Sequence, residues 1–265
     1  LVQNDRHQAH GDQYAAGVRA TSNSWGASVG GAYDVDSQAY DSRTRDAQSG
    51  TVGNQEMLFV FAAGNDGDSS ESVGSPGTAK NVITVGASEN EDTALNYTDG
   101  CGVAPADADD IRDIVWFSSR GPCSDDRVKP EIVAPGTHIH GAASYDASYD
   151  GTGVCDQYNP SGQTKYAESS GTSHSTPAIS GCVSLLANWL DRVQGISDPS
   201  PALRKACIIN CAMFMTGVDA NDDLPSNSQG YGLVDLGTAF DESVNRYFFD
   251  QEEVFTESGQ SWEQA

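Results

Sequence analysis

The chain has 265 residues, 37% of them hydrophobic and 28 of them glycine, so it can bury a sizeable core and does not read as disordered. Lys and Arg number 14 against 38 Asp and Glu, a formal charge of −24. That charge excludes the phosphate neutralisation on which non-specific nucleic-acid binding depends, and with it an anionic membrane surface as partner; no window approaches the ~18 apolar residues of a membrane span.

In chain order, His7 and His10 fall on what reads as a surface helix near the start. Residues 34–48 are polar and predict an exposed helix. Residues 57–63 form a near-continuous apolar run ending at Gly64, and 81–85 another, ending at Gly86. Two more follow at 114–117 and 131–134. Continuous rather than alternating apolarity predicts strands buried on both faces, as in parallel sheets. At 173–193 the period changes. Ala178, Ile179, Cys182, Val183, Leu185, Leu186, Trp189 and Leu190 make a broad apolar helix face, with Gly181 allowing close approach. Residues 201–213 predict a further helix, capped by Ser200 and opened by Pro201. The sum is an α/β doubly wound parallel sheet with helices on both faces. From 241 the chain turns polar and acidic, and 241–265 reads as a tail or a lead-in to something further.

The six cysteines carry no CxxC spacing of a zinc or redox site. Cys182, Cys207 and Cys211 lie in apolar helical stretches and read as small buried hydrophobes, Cys207 and Cys211 on one helix side. Cys101 and Cys123 bracket an Asp-rich insert and are the best disulfide candidates, although sequence does not choose the pairing. An Asp-rich, Lys-poor surface fits a salt-adapted protein or an ordinary acidic secreted one.

The chemistry concentrates in Ser170-Gly171-Thr172-Ser173-His174-Ser175-Thr176-Pro177. A serine nucleophile needs an exposed hydroxyl, backbone N–H donors beside it and a rigid seat. A Gly-Thr-Ser turn opening a buried helix offers all three, because the helix start points unpaired N–H groups and its positive dipole end outward. Taken alone, the same residues also read as helix caps.

This stretch resembles the G-T-S-x-[AS]-x-P nucleophile motif of subtilisin-like serine proteases. Other segments resemble the same family in the same order. They are Asn23-Ser24-Trp25-Gly26, Phe61-Ala62-Ala63-Gly64-Asn65-Asp66-Gly67, Val73-Gly74-Ser75-Pro76-Gly77 with the run after it, and Phe117-Ser118-Ser119-Arg120-Gly121-Pro122 with Lys129-Pro130-Glu131-Ile132-Val133-Ala134-Pro135-Gly136. Together they span about residues 19–240. The resemblance implies a peptidase domain over 1–240. It makes Ser173 the nucleophile and Asn65 a side-chain donor to the oxyanion, beside the Ser173 backbone N–H. Asn65 also suits a turn after a strand. A substrate pocket is implied between Ser24, Trp25, Gly26 and Ala62, Ala63, Gly64, with Gly74 at its floor. Extended polypeptide would pair with these walls by strand addition. Small walls without a carboxylate imply broad cleavage after large apolar residues. Trp25 can equally pack under the pocket.

The family's Asp, in D-[ST]-G, and His, in H-G-T-H, do not occur here. His10-Gly11 continues as Asp12-Gln13, and His138 and His140 resemble exposed loop residues. The economical expectation is an N-terminally truncated catalytic domain, nearly inactive alone, from a secreted, monomeric endopeptidase. The alternative is a non-catalytic subtilase-like peptide-binding module. A dinucleotide-binding fold is disfavoured because no GxGxxG follows a strand. His174 stands where the family commonly has a methionine, which implies tolerance of peroxide. No cofactor is implied for the chemistry. Structural calcium is common in the family, and the acidic stretches 107–110 and 219–223 are its candidates, although solvated acidic surface explains both.

Overall fold

The apolar runs become a parallel sheet. In the computed structural model, residues 2–91, 95–251, 258, 260 and 261 are described. Strands β1 (Ala20–Asn23), β2 (Leu58–Ala62), β3 (Ile83–Ser88) and β4 (Ile132–Pro135) lie side by side in that order, every pair parallel. Period-2 alternation divides β2 between two cores. Leu58 and Val60 point to one face, where they join Ile83, Val85, Ile132 and Ala134. Met57, Phe59 and Phe61 point to the other, against Tyr40, Ala47, Ala79 and Val82. All are essentially dry, and each full burial of such a side chain stabilises by roughly 1.5–3 kcal/mol.

Helices cover both faces, as the doubly wound class requires. On the second face lie α1 (Val2–Ala15) and α2 (Val35–Arg45), through Tyr14 and Tyr40. The N-terminus of α2 is capped by the Asp34 carboxylate, which accepts from Ser37 N at 2.9 Å. On the first face lies α3 (Thr172–Arg192), whose Ile179, Val183, Leu186 and Leu190 form one helical stripe over all four strands. Helix α4 (Pro201–Asn210) packs against α3 and carries the expected Ser200 cap, with Leu203 N donating to Ser200 Oγ at 3.0 Å. A small antiparallel sheet, β5 (Ile139–Ala142), β6 (Gln157–Tyr158) and β7 (Tyr166–Ser169) in the order β5-β7-β6, leads into α3, and α5 (Leu236–Ala239) follows α4.

Several expectations change. The 114–117 run is no strand; Val115 and Phe117 fill a small cluster under loops with Ala87, Val103 and Ala108. The 34–48 helix is not simply exposed, since Ser37, Tyr40, Asp41, Arg43 and Thr44 are buried. His10 is buried rather than on the surface, edge-on to Tyr40 and Phe59; the side chain of His7 is outside the described residues. Gly181 mediates no close approach, as a Cβ there would meet nothing within 4 Å. The fourth helix ends at Asn210 with Cys211 as its cap, Cys211 buried and Cys182 and Cys207 half-buried against the main core. The disulfide is Cys101–Cys155, not Cys101–Cys123; Cys123 is a buried free thiol. The small sheet, invisible in the sequence, carries Cys155 to Cys101.

The start of the 241–265 segment is seated on the helices. Trp189 meets Phe240 and Phe248 at 5.5 and 5.8 Å, and Asp250 Oδ2 accepts from Ser200 N at 2.8 Å. Residues 252–257, 259 and 262–265 of that segment lie outside the described residues.

Candidate active site

Helix α3 begins without a cap of its own. Its N-cap position is Gly171, which has no side chain to offer the first N–H groups. Asn65, in the turn after β2, serves instead: its Oδ1 accepts from Thr172 N and from Thr172 Oγ1, each at 2.9 Å. These two donors fix the orientation of the amide. Among the described residues Asn65 Nδ2 has no hydrogen-bond partner, and Asn65 is exposed. The next helical N–H, on Ser173, likewise has no acceptor among the described residues. Gly171 shows how close the two donors stand. A Cβ placed on it would be 3.3 Å from Asn65 Nδ2 and 3.7 Å from Ser173 N. Its φ of 149° also favours glycine.

A second local conflict is solved by Ser24. Pro177 sits inside α3 and has no N–H, so the carbonyl four residues earlier, that of Ser173, loses its helical donor. Ser24 Oγ donates to that oxygen at 2.8 Å. This contact ties the segment after β1 to the start of α3. Thr172 adds another tie, accepting from Gly64 N at 3.3 Å.

The result is a cleft of about 310 Å³. It is lined by all nine expected residues: Ser24, Trp25, Gly26, Ala62, Ala63, Gly64, Asn65, Gly74 and Ser173. One wall is braced by the exchange of hydrogen bonds between Ala27 and Ser75, both at 2.9 Å. Gly74 is obligatory there, because a Cβ would stand 2.9 Å from the Ala27 carbonyl oxygen. Trp25 lines the cleft, 41% exposed, and meets Phe61 and Tyr40 edge-on. Asp66 also lines the cleft, exposed, and was not expected. Its position directly after Asn65 was the available signal.

Ser173 is half-buried, and its hydroxyl takes no hydrogen bond from any described residue. His174 follows it on the helix, and burial pushes its imidazole below the ordinary histidine value. His10 lies in the core on the second face of the sheet. His140 is exposed as expected, and its Nε2 is 3.0 Å from Glu168. His138 is not an exposed loop residue: it is 5% exposed.

Carboxylates of the two acidic stretches suggested for calcium are engaged within the chain. Asp107 and Asp110 accept backbone N–H groups from their own loop, and Asp222 is taken by Ser228 and Gln229. Among the described residues, neither stretch brings three ligand groups together.

Comparison with known proteins points the same way. The subtilase family matches residues 3–232. Pyrolysin of Pyrococcus furiosus is 34% identical over 188 residues, covering 68% of this chain and 12% of its own length. Serine protease AprX of Bacillus subtilis is 31% identical over 178 residues, covering 67% and 34%. This chain therefore spans an eighth to a third of those relatives. Among solved structures, the patellamide maturation protease PatA superposes with a TM-score of 0.58 at 22% identity, over 90% of this chain and 67% of that one. Sphericase does so with 0.55 at 23%, over 88% and 62%. At such identities these two speak to the fold.

Proposed function

The chain belongs to the subtilase family, and from that premise we propose that it is the C-terminal part of a serine endopeptidase domain, with Ser173 as nucleophile and Asn65 as oxyanion donor. The carrying observation is the cleft in which Asn65 Nδ2 and Ser173 N both lie within 4 Å of the place a Gly171 Cβ would take. In the proposed reaction, Ser173 Oγ attacks the scissile carbonyl carbon and gives its proton to a base. The carbonyl oxygen becomes an anion held by Asn65 Nδ2 and Ser173 N. Both are neutral and already oriented, so they need no reorganisation as charge develops. The anion collapses, the amine leaves with a proton, and water then releases the acyl group from Ser173.

In this reading the base lies outside these 265 residues. Among the described residues no histidine hydrogen-bonds Ser173 Oγ, and adjacent helical side chains such as His174 do not face each other. Asp and His partners would come from a longer product, and this chain alone would be nearly inactive.

The substrate is an extended polypeptide, with a large apolar residue before the scissile bond filling the cleft between Ala62, Ala63 and Gly74. No cofactor enters the chemistry. The Cys101–Cys155 disulfide fits an oxidising, extracellular compartment. Residues 1–240 form the peptidase part of a monomer, and 241–265 are a tail or the lead-in to a following β-domain.

The test is to read the coding sequence upstream of Leu1 for D-[ST]-G and H-G-T-H, then to assay its longest product. Peptide hydrolysis abolished by Ser173→Ala and lowered about 10²–10³-fold in kcat by Asn65→Ala is expected. Hydrolysis unaffected by either change overturns the assignment. Absence of both upstream segments would turn the reading to a peptide-binding module. Turnover by the 265 residues alone, lost in Ser173→Ala, would show that they contain a base.

A further inference from the structure

Three ionisable side chains converge behind the loop that carries Ser173 and take no part in the cleft. Asp99 comes from the insert between β3 and β4, His138 from the turn before β5, and Glu168 from β7. All are buried, and one ligand atom from each lies within 4.8 Å of the others. His138 is the informative member. Its side chain is 4% exposed, with Nδ1 3.5 Å from Glu168 Oε1. Neither ring nitrogen has a hydrogen-bond partner. Buried polar atoms are nearly always hydrogen-bonded, and a buried imidazole beside two carboxylates with neither nitrogen hydrogen-bonded needs an explanation.

The surroundings are built as a ligand shell is built. Glu168 accepts from Tyr97 Oη, Asn159 Nδ2 and Gln157 Nε2, which fix its carboxylate in place. Tyr97 also stands edge-on to the His138 ring at 5.6 Å. Asp99 Oδ2 accepts from Ser170 Oγ, which in turn accepts from His138 N at 2.8 Å. Glu168 and Ser170 line a cavity of about 730 Å³ that also reaches Ser173 and His174, so an ion has a route in.

We propose that Asp99, His138 and Glu168 bind one divalent cation of the zinc class, which pins the 95–113 insert to the loop entering α3. One imidazole nitrogen with two carboxylates suits Zn²⁺ or Co²⁺, whereas Ca²⁺ and Mg²⁺ take oxygen ligands. Ser170 lies three positions before Ser173, so the ion positions the nucleophile's loop without touching substrate.

The experiment titrates the chelator-treated chain with Zn²⁺, Co²⁺ and Ca²⁺ by calorimetry, with the visible spectrum of the Co²⁺ form. One Zn²⁺ or Co²⁺ per chain, a raised Tm and Co²⁺ bands without a sulfur charge-transfer band are expected. Asp99→Asn and Glu168→Gln nearly keep the side-chain shape, and each should weaken Zn²⁺ by more than the about 10–100-fold that loss of an outer ligand partner causes. Three results overturn the proposal: no saturable Zn²⁺ or Co²⁺ binding, sulfur ligation that moves the ion to the free cysteines, or full binding retained in both variants with native circular dichroism. If both variants unfold, the wild-type Co²⁺ spectrum decides, because a purely oxygen-ligated six-coordinate form places the ion on the acidic surface.

Discussion

Gly171 lies close to both proposed anion donors, so adding one methyl there tests the proposed site directly. A Cβ would stand 3.3 Å from Asn65 Nδ2 and 3.7 Å from Ser173 N, crowding the place proposed for the substrate oxygen. In the catalytically complete product, Gly171→Ala should lower kcat by about 10²–10³, like loss of a donor. Its KM should change far less. A matching rise in KM with unchanged kcat would mean the donors serve binding only. The neighbouring His174 makes a second residue-scale prediction. Methionine there would oxidise to a polar sulfoxide beside the nucleophile, and histidine does not. Activity should survive dilute peroxide and become peroxide-sensitive in His174→Met; rapid loss in the native enzyme would refute this. The proposed cleft residues stand out in the sequence because the motifs that carry them are local. Ser173, Asn65 and the pocket walls each sit in short motifs that carry their own turn or helix start. Asp99, His138 and Glu168 were not legible, since they come from three segments with no shared spacing and meet only through the small sheet.

At the scale of elements, strands β2, β3 and β4 were readable from unbroken apolar runs, because nearly all of their residues are buried. Strand β1 was not. It is Ala-Thr-Ser-Asn at the sheet edge, half-exposed, and owes its strand to pairing with β2. The run at 114–117 misled for the opposite reason: Val115 and Phe117 bury under loops, Trp116 is exposed, and Ile114 makes an isolated bridge to Ser88 rather than a ladder. Two ties between elements were hidden as well. The first is Glu131, at the start of β4, which meets Lys129 at 2.7 Å and Lys205 of α4 at 2.6 Å, and accepts from Thr84 N of β3. Burial alone would lift its carboxyl, but the two ammonium groups outweigh it and hold it below the usual 4.5. Glu168 also lies below that value: burial opposes, and hydrogen bonds from Tyr97, Asn159 and Gln157 prevail. Below pH about 4.5 the unfolded chain therefore binds more protons than the folded one, and stability falls as pH falls through the folded values. The urea midpoint should stay flat between pH 7 and 5 with respect to these groups and then drop, less steeply in Glu168→Gln. An unchanged slope in that variant would show that Glu168 carries none of the effect. The second tie is Cys101–Cys155, which closes a separation of 54 residues. Opening it by Cys101→Ser with Cys155→Ser should cost about 2–4 kcal/mol in urea unfolding. A double variant as stable as the native chain would mean that the hydrogen bonds of the small sheet already fix this region.

At the scale of the whole molecule, the charge of −24 acts on every carboxylate at once. Self-repulsion of that size destabilises the compact state, and the unfolded chain relieves it by spreading the charges apart. Salt screens repulsion and attraction alike, so its net effect depends on which is larger. The attractive side is small. The exposed ion pairs Arg19–Asp198, Arg127–Asp125 and Arg192–Asp191 are of the kind worth about 0–1 kcal/mol each. The strongest pairing, Lys129–Glu131–Lys205, is largely buried and little screened. Raising NaCl from about 0.1 to 1 M shortens the screening length from about 10 to 3 Å. It should thus remove more repulsion than attraction and raise Tm. A gain of about 1 kcal/mol would appear as about 2–4 °C for a chain of this size. NaCl is the salt to use, because sulfate stabilises by exclusion from any protein surface and would mask the electrostatic part. A Tm that falls across this range would show that the surface pairs outweigh the excess of acid, and would remove the physical basis for reading this composition as salt tolerance.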